Sequence, residues 1–213
     1  MKQRLAILLF IISNTIILAQ KKEIFVTDDF ISITEAEYFA VSKDPSIISM
    51  RFETDTLAVN MVAKRVKKGT ISKQSLDSIR NDLSKLSGKE ISKENIIVVN
   101  YYHGKDKCNS GGSGRVKSLH ETYLKNIQEL SGVSQFFMYK SPEGKKKYGK
   151  KLHWIKDEYR TIDSRFFPVN YPCGSFVLID EKGNYYVRKG EYKLSNIFDL
   201  LKNKEITFKG VND

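Results

Sequence analysis

Cysteine and histidine are scarce in this 213-residue chain, with two of the first and three of the second. The histidines are His103, His120 and His153, and none stands at metal-ligand spacing from another histidine or a cysteine. That leaves neither a metal centre nor a resident cofactor with a ligand set to hold it. The paired acids Asp28-Asp29 and Glu35-Ala36-Glu37 lack the register of a calcium loop. Arginine is also short, 8 against 28 lysines. Specific phosphate and base recognition leans on arginine's planar fork, so a nucleic-acid partner is disfavoured. The densest basic cluster, Lys145, Lys146, Lys147, Lys150 and Lys151, has only Tyr148 and Trp154 among it as aromatics. Charge alone gives non-specific attraction to polyanions. There is no internal repeat and no low-complexity linker, and past the N-terminus no apolar run could span a bilayer.

What the N-terminus does have is the pattern of a secretory signal. Lys2 and Arg4 precede an apolar run from Leu5 to Ile12, which resumes at Ile16 to Leu18 and ends on Ala19 and Gln20. A charged start, a short apolar core and a small exit residue make a cleavable signal over 1–19. The alternative is an uncleaved anchor, for which the segment falls short of ~20 apolar residues. No cysteine follows for lipid attachment. The expected product is exported, periplasmic or extracellular, with no stable membrane span after cleavage. Removing Lys2 and Arg4 takes the net charge from +11 to +9, and 194 residues remain, enough for one sizeable core.

Patterning divides those residues in two. In the first part, 20–89, Ile47 to Phe52 and Leu57 to Val66 read as two strands of a hairpin that Gly69 ends. A helix follows from Lys73 to Ser87, capped by Ser72, with Leu76, Ile79, Leu83 and Leu86 inward and Gly88 as its stop. The second part, 90–213, opens on Ile96 to Tyr102, a continuous run suited to a strand covered on both faces. A polar loop with Gly111, Gly112 and Gly114 leads to a helix over Val116 to Leu130, with Leu119, Tyr123, Ile127 and Leu130 inward. That loop is neither G-x-G-x-x-G nor a P-loop, and a flexible connector is its plainer reading. Val133 to Tyr139 is a strand and Tyr148 to Tyr159 has helical spacing. Ser175 to Asp180 and Tyr185 to Arg188 form a hairpin, and Leu194 to Lys202 is a closing helix. The order is β-α-β-α-β-β-α: an α/β mixed sheet, with both crossovers parallel and right-handed, and an N-terminal α+β extension.

Over roughly residues 90–203 this chain resembles the thioredoxin-like superfamily. The likeness rests on that element order, on Cys108 in the loop after the first strand, and on Tyr171-Pro172-Cys173-Gly174 just before the hairpin. The resemblance implies that Pro172 is the family's cis-proline and that Cys108 lies near the redox position. It departs from the family at the motif itself. C-x-x-C is replaced by Cys108-Asn109-Ser110-Gly111, and Gly111 to Gly114 separate the cysteine from the helix. A thiol gains reactivity when a helix N-terminus stabilises its thiolate.

In the fold so implied, Cys108 and Cys173 meet at one sheet edge. Three readings stay open: a structural or regulatory disulfide, two free thiols, or a redox pair with Cys108 as nucleophile and Cys173 as resolving thiol. The first is favoured. His103, five residues from Cys108, is the candidate thiol-activating base, against the plainer reading of a solvated loop histidine. The expected function is binding or scaffolding toward a protein or thiol partner not identified by the sequence. The alternatives are an extracytoplasmic thiol-disulfide oxidoreductase and a basic protein that binds anionic surface polymers.

Overall fold

The computed structural model describes residues 21–111 and 114–209. The signal over 1–19 lies outside the described residues. The chain divides into two compact units after Ala63.

The first unit is a three-stranded sheet with one short helix. Strand β1 (Lys22–Thr27) pairs in parallel with β3 (Leu57–Lys64), and β2 (Ile47–Glu53) flanks β3 on its other side. Helix α1 (Glu35–Val41) starts on a capping box, in which the Thr34 hydroxyl accepts from Glu37 N–H while the Glu37 carboxylate accepts from Thr34 N–H.

The second unit starts earlier than residue 90. Val66–Thr70 is not the end of a hairpin but a strand, β4, paired antiparallel with β9 (Asn184–Arg188). Gly69 lies within it because the Tyr185 ring crosses that position, where a Cβ would collide with it. Helix α2 (Lys73–Ser87) follows. The second compact unit runs from Lys64, and β4 adds an edge to its sheet. The ends of α2 are where the pattern put them. Ser72 accepts from Ser75 N–H at 3.2 Å, and Gly88 closes the helix at φ 68 with its N–H on Ser84 O. Leu76, Ile79 and Leu83 are buried. Ser72→Ala should cost about 1 kcal/mol, read as a lower urea midpoint at unchanged m-value.

Six strands make the main sheet, in the order β4-β9-β8-β5-β6-β7. Its centre is β5 (Ile96–Tyr102), buried at all seven positions. It pairs in parallel with β6 (Val133–Tyr139) and antiparallel with β8 (Ser175–Ile179), which in turn pairs antiparallel with β9. The sheet is mixed and the fold is α/β. The second crossover was expected to be parallel and is not. Residues Trp154–Lys156 form β7, a parallel edge strand beside β6, in place of the helix expected over 148–159. Gly149 at φ 89 breaks the chain after a 3₁₀ turn at Lys145–Tyr148. Having left β7 at the end of the sheet where β5 also finishes, the chain makes the short helix α4 (Asp163–Phe166) and enters β8 from that same end. Antiparallel pairing follows from this entry.

Helix α3 (Gly114–Gln128) covers one face of the sheet, together with α5 (Ser195–Lys202) and the short α6 (Lys204–Phe208). Tyr123 and Ile127 point inward as expected, but Leu119 and Leu130 are exposed. His120 takes the inward place instead. Its Nε2 accepts from the Tyr102 hydroxyl at 3.0 Å, while Nδ1 donates to Val116 O at 2.9 Å. Tyr123 hydrogen-bonds Gln135 and Asn100 beneath the helix. These polar anchors rotate the stripe by about one residue from the purely apolar reading. On the opposite face, to which the odd-numbered residues of β5 belong, Phe167 stacks on Tyr101 with ring centroids 5.2 Å apart.

Candidate functional site

The antiparallel entry of β8 sets the site. The loop after β5 and the loop before β8 leave the sheet at the same end, and there Cys108 and Cys173 are joined as a disulfide with Cα atoms 5.2 Å apart. Both residues are half-buried. A parallel β8 would have placed its entry at the opposite end, so the corrected strand direction is what brings the two cysteines together.

One carboxylate organises both loops. Asp106 Oδ1 accepts from Cys108 N–H at 2.7 Å and Asn109 N–H at 3.1 Å. Its Oδ2 accepts from Cys173 N–H at 2.8 Å across the cross-link. Asp106 N–H in turn donates to Asn109 Oδ1, and Asn109 Nδ2 donates to Gly104 O. The turn at 106–109 is an aspartate capping the amides two and three residues on. Asp106-x-Cys108-Asn109 carried that signal in the sequence. Nothing local in the sequence marked the bond to Cys173.

Pro172 is in place before β8, but every peptide bond among the described residues is trans. The expectation of a cis-proline is corrected accordingly. The chain turns instead at the next two residues, where Cys173 has φ 69 and Gly174 has φ 87. Gly174 has no substitute there, since a Cβ would come within 2.8 Å of the Tyr102 ring.

His103 lies in the same loop but faces elsewhere. Its ring sits among Tyr101, Phe167 and Tyr171, with Nε2 3.5 Å from Phe167 O and 4.0 Å from Asp163 Oδ1. Burial pushes the imidazole pKa down to about 4, so it is neutral at pH 7. With both sulfurs bonded there is no thiolate for it to activate. It is not a solvated loop histidine either, being only 7% exposed in its side chain. Asp163 is held by Arg160 at 3.1 Å and Lys140 at 3.5 Å. Asp157 accepts from Asp163 N–H, and burial raises its carboxyl above the usual range.

Asp106, Cys108 and Cys173 also gather metal-ligating atoms within 4.8 Å of one another. A metal takes thiolate, which the bonded sulfurs do not offer in this form.

No family model and no curated protein matches this chain. Among solved structures it is similar to a DsbF homologue from Corynebacterium diphtheriae, at 10% identity and a TM-score of 0.36. The match covers 76% of this chain and 94% of that one. A likeness of that degree assigns neither family nor activity. What stands independently is a mixed α/β unit with a disulfide across two loops, a bond that suits an oxidising compartment. No described helix is long and apolar enough to cross a membrane.

Proposed function

We propose that this protein is an exported, thioredoxin-like binding or scaffolding protein whose Cys108–Cys173 disulfide is a structural cross-link. The observation that carries the reading is the Asp106 carboxylate, seated on the backbone amides of both cysteines. Reduction would place two sulfurs beside a negative charge, which disfavours the thiolate that exchange chemistry needs. Helix α3 begins six residues past Cys108, at Gly114, so Cys108 is not its capping residue, and the Lys147 ammonium, which donates to Cys108 O, is the charge that opposes Asp106 there. His103, the one histidine of that loop, is buried and neutral against Phe167. The thioredoxin-like reading rests on Cys108 after β5, Pro172 before β8, and the hairpin that follows. Export rests on the N-terminal pattern and on the bond itself.

The test is redox equilibration against a dithiol buffer, with quantification of trapped thiols. The expected midpoint lies below about −300 mV, the range of structural disulfides. The companion assay is reduction of a disulfide-bonded protein substrate by a dithiol, where this protein should add nothing to the background rate. A midpoint near that of the oxidising foldases, with turnover lost in Cys108→Ser, would replace this reading by the oxidoreductase.

A further inference from the structure

The lysine cluster singled out in the sequence is fastened to the disulfide loop. Three contacts hold the 141–149 segment against residues 103–111. Lys147 Nζ donates to Cys108 O. Gly144, at φ 83, lies so close to the Asn109 amide that no Cβ would fit between them. Ser141 N–H donates to His103 O at 3.2 Å. Tyr148 is buried beneath the turn, against Tyr102 and Trp154.

Between the two segments lies an open hollow of about 490 Å³, with Lys105, Asn109, Ser110, Glu143, Lys146 and Lys147 on its walls. Lys105 and Lys146 are exposed and have no carboxylate partner among the described residues. Glu143 is the one acid of the lining. The surroundings share the sign, since residues 64–213 carry 30 of the 36 basic side chains against 17 acidic ones.

We propose that this hollow binds an acidic peptide segment, rich in Asp or Glu, and that the disulfide keeps it in shape. The proposal deepens the binding reading above and rests on it. The lining favours a peptide over other polyanions. It has no arginine for bidentate phosphate contact and no aromatic face on which a base or sugar ring could stack. It offers ammonium groups for carboxylates, and the Asn109 and Ser110 side chains for main-chain amides. The coupling to the disulfide follows from the fastening. Without the bond, the two cysteine loops are held to each other by the Asp106 contact to Cys173 N–H and by the His103 ring against Phe167 and Tyr171, none of them covalent, and the lysine turn is tied to the Cys108 loop.

The experiment is fluorescence anisotropy of labelled oligoglutamate against the mature protein, over a salt series. Binding should be detectable at low salt and weaken as salt rises. The double variant Lys105→Glu/Lys146→Glu should weaken it roughly tenfold. Lys202→Glu/Lys204→Glu, on α5 and α6, makes the same change in net charge and should leave it within about twofold. Cys108→Ser/Cys173→Ser, with every lysine intact, should weaken binding several-fold. Equal losses in the two lysine variants, or no binding at low salt, would overturn the site. Oligothymidylate bound with the same dependence on Lys105 and Lys146 would overturn the peptide assignment. Unchanged affinity in the serine pair would overturn the link to the disulfide. A high redox midpoint with lysine-dependent binding would leave the hollow standing and remove only the structural reading of the bond.

Discussion

Cys108→Ser and Cys173→Ser should each lower the stability of the second unit by roughly 4 kcal/mol. The cross-link spans 65 residues, and closing a loop of that length removes about this much free energy from the unfolded chain's side of the balance. For a chain of this size the loss corresponds to a melting temperature lower by roughly 10 °C. The double variant should match either single one to within about 0.5 kcal/mol, since one bond is lost in all three. Urea titration of the four proteins checks this, with non-reducing electrophoresis to show that the wild type starts bonded. A serine variant as stable as the wild type would mean that the folded state is strained by the bond as much as the unfolded chain is constrained.

Stability should also fall as pH drops from about 6.5 to about 4, by roughly 3 kcal/mol from His103 alone. The sign follows from proton binding. In the fold the imidazole titrates at about 4, because it is buried against Tyr101, Phe167 and Tyr171, whereas the unfolded chain takes its proton near 6.5. Between those values the unfolded chain holds more protons, and acid pulls the equilibrium toward it. Asp163 and Asp106 favour the charged ring and Lys140 opposes it, but burial outweighs all three. Asp157 acts in the opposite sense, since its carboxyl is raised in the fold and accepts a proton more readily there. The two separate in His103→Asn, whose urea midpoint should change much less over this pH range than that of the wild type. A wild-type profile that is flat from 6.5 to 4 would mean that His103 is hydrated.

The pattern of the chain was most legible where burial is continuous or a cap is explicit. Ile96 to Tyr102 reads as a covered strand because every position is apolar or aromatic except Asn100, and the structure buries all seven. Ser72 and Gly88 bracket α2 to the residue. Legibility fails where a short segment is claimed by a distant partner. Val66–Thr70 is a strand only because β9 offers an edge to it, and β9 lies more than a hundred residues on. Trp154–Lys156 has apolar neighbours at helical spacing, yet these three residues pair with β6 after the chain leaves the 3₁₀ turn at Gly149. The cysteines were found by their scarcity. Asp106 was not, although it holds both, because its contact with Cys173 N–H crosses 67 positions of sequence. The burial of His103 is not legible in its own loop, since the Phe167 that covers it arrives with the connection between β7 and β8.

The bond between Cys108 and Cys173 closes a covalent ring that contains α3, β6, β7 and α4. Residues 142–152, with Lys146, Lys150 and Lys151 exposed to a trypsin-like protease, lie on that ring. A single cut there opens the ring without dividing the molecule. Such a nicked protein keeps its mass until it is reduced, and its central strand β5, whose carboxyl end leads into the ring, stays tethered to both β6 and β8. In an oxidising compartment, a cut in this stretch therefore leaves the chain in one covalent piece for as long as the bond persists.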